Sequence, residues 1–79
     1  MNFPSRETVE RLRREYPVGT RVRLLKMDDP FRPPIGTIGV VTGVDDAGGV
    51  MVAWSNGSSL SVVYGEDICE KVQAQDVVP

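Results

Sequence analysis

Three acidic pairs, Asp28-Asp29, Asp45-Asp46 and Glu66-Asp67, and one thiol, Cys69, are the residues whose types and spacing first suggest chemistry. Paired carboxylates can hold a divalent cation when their oxygens converge on one point. Neighbours on a strand point to opposite faces, however, and so rarely converge. Asp45-Asp46 runs into Ala47-Gly48-Gly49, where aspartate tolerates turn geometry and accepts backbone hydrogen bonds. A turn is the simpler reading of each pair. The chain contains no histidine, which removes His-based triads and acid–base catalysis. One cysteine without histidine also excludes a structural zinc site, and Cys69 reads as a small buried hydrophobe in the last apolar run. The glycines of IGTIG lie in or beside a strand, without the following helix that a phosphate-binding loop needs. The expectation is no catalytic residue, no metal and no cofactor, hence not an enzyme.

The elements that would position a binding surface are clearer. Ser5 is a fitting N-cap, and Glu7 lies in the first turn, where the helix dipole favours an anion. Val9, Leu12 and Tyr16 recur at spacings of three and four, one narrow apolar stripe. Glu7–Arg11 and Glu10–Arg14 are stabilising pairs in the favourable order. Pro17 ends the helix, because the residue before proline resists helical geometry. About three turns of helix are marginal alone and need something to pack on.

From Val18 the texture changes to short apolar runs: TRVRLLKM, TIGVVTGV, VMVAW, SLSVV and ICEKV. DDPFRPP makes a long loop after the first, DDAGG turns the second into the third, and Asn56-Gly57 is a strong hairpin signal. Five short strands at close spacing predict a small antiparallel barrel. The expected fold is mainly β: one domain over 1–79, with a helix at 5–16, a five-stranded barrel at 18–72 and a loose tail at 73–79.

GVMVAW, residues 49–54, has no polar residue at all. Val50, Val52 and Trp54 would face inward, leaving Met51 and Ala53 outside beside Ile38, Val40, Thr42 and Val44 of the preceding strand. Gly39 and Gly43 would share the inner face with Val41, making room for Trp54. An apolar outer strip usually marks a contact. Either the helix lays Val9, Leu12 and Tyr16 across Ile38, Val40, Met51 and Ala53, or a second copy covers them as a two-fold dimer. Monomer and homodimer both remain open at this point.

Charge is unevenly distributed. Residues 1–32 hold eight basic and five acidic side chains, a net of +3; residues 33–79 hold one and six, a net of −5. The overall −2 makes a poor general binder of phosphate backbones. No apolar run is long enough to span a membrane, and charges occupy the N-terminus where a signal peptide needs its apolar segment. A cytoplasmic protein without membrane attachment is expected.

VGTRVRLLKMDDPF, PIGTIGVVTGVDDAGGVMVAWSNGSSL and the closing YGED together resemble a family of small bacterial and phage proteins, domain of unknown function number 4314. The resemblance covers Pro17 to about Val72 and implies an SH3-like barrel with no established activity. More loosely, Gly36, Gly39 and Val41 are similar to the glycine-glycine-valine spacing of KOW-type barrels, which often work on ribosomes or transcription complexes.

Two kinds of binder follow. In the first, a protein-interaction module of bacterial, phage or mobile-element origin uses Asp28, Asp29, Phe31 and Tyr64 to hold an extended basic or proline-containing peptide. Trp54 could join such a groove but reads more simply as core. In the second, Arg6, Arg13, Arg14, Arg21, Arg23 and Lys26 form one basic face for nucleic acid. Glu7, Glu10 and Glu15 interleave with those arginines and would pair with them, which favours the first reading.

Overall fold

The computed structural model describes residues 4–73, and the expected tail from Ala74 onward lies outside the described residues. Ser5 caps the helix as its type predicts: its hydroxyl accepts the Thr8 N–H at 3.1 Å. The helix α1 runs Arg6–Glu15, and the Tyr16 N–H closes it on the Leu12 carbonyl at 2.8 Å, just ahead of Pro17. Five strands follow: β1 (Arg21–Lys26), β2 (Ile38–Val44), β3 (Gly49–Trp54), β4 (Val62–Val63) and β5 (Ile68–Lys71). They form one sheet in the order β4-β3-β2-β1-β5, with every neighbouring pair antiparallel. The ladder does not close, since β4 and β5 are its two edges.

The fourth strand is shorter than its alternation predicts. The Trp54 indole N–H donates to the Leu60 carbonyl at 2.8 Å, and the Leu60 N–H donates to the Ser58 hydroxyl at 3.3 Å. Those bonds use backbone groups that a ladder would need, so Ser59–Ser61 stays off the sheet.

The inner face carries Val22, Leu24, Val41, Val50, Val52, Trp54 and Val62, all buried in one cluster. Met51 and Ala53 face outward, as the sequence suggests. On β2 the alternation breaks. Val41 pairs with Val52, but Gly43 pairs with Met51, so Thr42 is the extra residue of a β-bulge. The bulge turns Val44 into the core and Gly43 out toward the Met51 methyl, reversing the expectation for both. Gly39 alone keeps its inward place, against Val52 and Trp54.

The helix does not cover the outer strip. Val9 and Leu12, 4% and 5% exposed, belong to the core cluster, while Val40 and Met51 remain 39% and 38% exposed. Inner burial wins because it completes a core that the sheet alone leaves open; each such side chain contributes roughly 1.5–3 kcal/mol. Arg13 pins the helix to the end of β2, donating from Nε and Nη2 to the Val44 carbonyl at 3.2 and 3.1 Å. Its Nη2 also donates to Asp46 at 2.8 Å. From the end of β2 the helix reaches toward both sheet edges: Arg11 bonds the Tyr64 hydroxyl just after β4, where Pro4, ahead of the helix, lies with Tyr64 against Gly48, whose φ is +82°. At the other end Tyr16 packs by Cys69, with the Lys71 ammonium 5.2 Å from its ring centre.

The Tyr16–Cys69 corner makes stability sensitive to alkali. Burial pushes the Cys69 thiol above its ordinary value of 9.0, and outweighs the Tyr16 hydrogen bond that favours the thiolate. Burial, reinforced by the Cys69 and Glu15 charges and the Cys69 hydrogen bond, raises Tyr16 above 10.0. Both groups are therefore better held protonated in the folded chain. Their contribution is complete below pH 9 and falls as pH rises through 9–10 and beyond. Thermal melts should show a midpoint steady from pH 7 to 8.5 and declining above 9, with Cys69→Ala flattening the first part of the decline.

Candidate partner-binding groove

After β1 the chain leaves the sheet at Asp28-Asp29-Pro30-Phe31-Arg32-Pro33-Pro34. Asp29 shapes the exit: its carboxylate accepts the Phe31 N–H at 2.7 Å and its carbonyl accepts the Arg32 N–H at 3.1 Å. Such an Asx turn needs no partner outside the loop. Pro33 is fully buried and anchors the loop, while Phe31 is 84% exposed. The chain rejoins the sheet through Gly36 N–H to the Leu24 carbonyl at 2.7 Å and Leu24 N–H to the Thr37 carbonyl at 2.9 Å.

A second turn faces this loop. The Glu66 and Asp67 N–H groups both donate to the Val63 carbonyl, at 3.1 and 2.9 Å, and Asp67 accepts the Val63 N–H at 2.9 Å. Gly65, at φ +85°, allows the tight reversal. Between loop and turn lies an open groove of about 720 Å³. Met27, Leu60 and Val63 give it an apolar component; Lys26, Asp28, Asp29, Ser61, Glu66 and Asp67 give it polar walls. Four carboxylates against one ammonium leave those walls at −3. None of the ion pairs found among the described residues, Arg6–Glu10, Arg13–Asp46 and Arg23–Glu70, involves a groove residue. Among the described residues no group of three acidic or thiol side chains is arranged to hold a metal ion. Spread carboxylates of this kind suit a partner that is itself spread out.

The sequence-derived candidates divide. Asp28 and Asp29 line the groove, and Phe31 stands on the same loop outside the lining. Tyr64 is half-exposed but turns away, its hydroxyl accepting from Arg11 Nη2 at 3.4 Å. Trp54 is core, 3% exposed. Lys26, Met27, Leu60, Ser61 and Glu66-Asp67 are the residues that sequence reasoning did not bring together; β2 and β3 lie between β1 and β4 in the sheet, and only its curl, which brings the edges β4 and β5 into contact, sets them across one groove.

The candidate nucleic-acid residues do not act as one free basic set. Arg6 is held by Glu10 at 3.3 Å, Arg13 by Asp46 at 2.8 Å and Arg23 by Glu70 at 3.6 Å. Lys26 belongs to the acidic groove, leaving Arg14 and Arg21 exposed. Of the proposed docking strip, Val9, Leu12 and Tyr16 pack on the core, while Val40, Met51 and Ala53 stay exposed and Ile38 half-buried. Among the described residues no helix is long and apolar enough to cross a membrane.

Comparison with known proteins gives one positive finding. Residues 5–72 match the model of a family described as Domain of unknown function (DUF4314). Neither a curated protein nor a solved structure matches the chain.

Proposed function

The chain belongs to the DUF4314 family, and we propose that it is a non-enzymatic protein-interaction module whose partner docks in the groove between the β1–β2 loop and the β4–β5 turn. The observation that carries this reading is the groove itself, about 720 Å³ with walls at −3, a volume in the range of functional pockets. In this reading the fold is an SH3-like small barrel. The strand order β5-β1-β2-β3-β4 and the helix that reaches toward both edges support it. A bacterial or phage source and a cytoplasmic setting belong to the same proposal, on the strength of the sequence resemblance. Nucleic-acid binding is the weaker alternative, since Arg6, Arg13 and Arg23 already engage carboxylates.

A photoreactive residue placed at Ser61, in the groove, or at Thr42, on the outer face, tests the reading in cells that make the protein. The expected result is a discrete protein adduct from Ser61 and none from Thr42. Equal yields from both positions, or adducts to nucleic acid, would overturn it.

A further inference from the structure

We infer that the groove's partner is a peptide segment of another protein carrying at least two arginine or lysine side chains beside an apolar one. This rests on the module reading and adds the chemistry of the partner.

Charge complementarity is the first argument. Asp28 and Glu66 stand on opposite sides of the groove, and neither takes part in an ion pair or side-chain hydrogen bond found among the described residues. Asp29 and Asp67 each spend one oxygen on their own turn, which fixes the carboxylate and leaves the other oxygen for a ligand. Two of the four negative charges, those of Asp29 and Asp67, are thus held in place, and Lys26 is the one cation in the lining to offset the set. A guanidinium or ammonium entering the groove would replace mutual repulsion with attraction. A phosphate backbone would meet the opposite effect, and a bare divalent cation lacks a convergent ligand set.

The apolar lining is the second argument. Met27, 5% exposed, belongs to the core beneath the groove, but a purely electrostatic site would not need Leu60 or Val63, the latter 37% exposed, in its lining. Those side chains offer an apolar residue of the ligand somewhere to leave water. Phe31 stands on the same loop as Asp28 and Asp29, outside that lining. It is 84% exposed on a loop stiffened by Pro30, Pro33 and Pro34 and by the Asp29 turn. A loop backbone held this way loses little freedom when a partner docks beside it.

The probes are two capped hexapeptides, one alternating arginine and leucine and one alternating glutamate and leucine, each titrated into the full ¹⁵N-labelled chain. The arginine peptide should shift amides of Asp28, Asp29, Ser61 and Gly65–Asp67, while the glutamate peptide leaves them in place. Asp28→Asn combined with Glu66→Gln, substitutions at exposed sites that keep the fold, should weaken the arginine peptide at least about tenfold. Shifts centred on Val40 and Met51 instead, or unchanged affinity in the double variant, would overturn the inference. Groove binding of the glutamate peptide would sink the basic partner yet leave the docking site standing. Silence of the groove toward both peptides, together with failure of the Ser61 adduct, would remove both.

Discussion

Gly39→Ala is expected to lower the melting midpoint by roughly 5–20 °C, while Gly43→Ala leaves it within a few degrees. A Cβ on Gly39 would lie 2.7 Å from Trp54 Cε3 and press on Val52 as well, two side chains locked in the core. Overpacking at such a site costs about 1–3 kcal/mol, and in a domain of this size each kcal/mol moves the midpoint by about 4–8 °C. A Cβ on Gly43 would instead meet the Met51 methyl at 2.8 Å. That methyl ends a flexible, half-exposed side chain that can swing aside. The lost freedom of the unfolded chain then favours alanine by about 0.4–1 kcal/mol. Circular dichroism melts of the two variants decide the matter. Equal losses would mean that both glycines face inward and that the bulge at Thr42 is misplaced.

Leu12→Ala is expected to cost about 2–4 kcal/mol, against less than about 0.5 kcal/mol for Met51→Gln. Leu12 is 5% exposed within the core cluster, and truncating a buried leucine loses its transfer energy and leaves a cavity. A chain of 79 residues has about 4–12 kcal/mol in total to lose, so this one change removes a large share. Met51 is 38% exposed on the outer face, where substitutions rarely exceed half a kcal/mol. Urea unfolding of both variants tests which face the helix covers. A heavier loss from Met51→Gln would restore the outer strip as the helix's resting place. Removing residues 1–16 should go further, since it strips Val9, Leu12 and Tyr16 from the core cluster and leaves the remainder prone to association.

Much of this was legible in the residue pattern. Ser5 and Pro17 bracket the helix, and Val50, Val52 and Trp54 place the inner face of β3 correctly because Trp54 could hardly face water. The Thr42 bulge was not legible, since TIGVVTGV reads as an unbroken alternation and nothing local marks the extra residue. The resting place of the helix is not legible for a related reason. An apolar outer strip looks like an unmet need, but the open side of the inner core is the larger one, and it appears only once the sheet is assembled. Of the groove, only Asp28 and Asp29 are legible as candidates in the sequence. Glu66 and Asp67 read as a turn, which they form; that this turn also faces the β1–β2 loop is a property of the curled sheet, not of either segment.

The helix that reaches toward both sheet edges has a consequence for the order in which the molecule assembles. Its partners lie far along the chain: Arg13 holds the carbonyl of Val44, Arg11 reaches Tyr64, and Tyr16 rests on Cys69. The helix therefore gains its full set of contacts only once the strands that carry these partners are paired, since each contact closes a long loop of chain. By the same token it is held by contacts at its two ends and one stripe, so it should be the first cooperative unit to open. Amide exchange in α1 would then run ahead of exchange in β1, β2 and β3, with the sheet intact while its lid is briefly off.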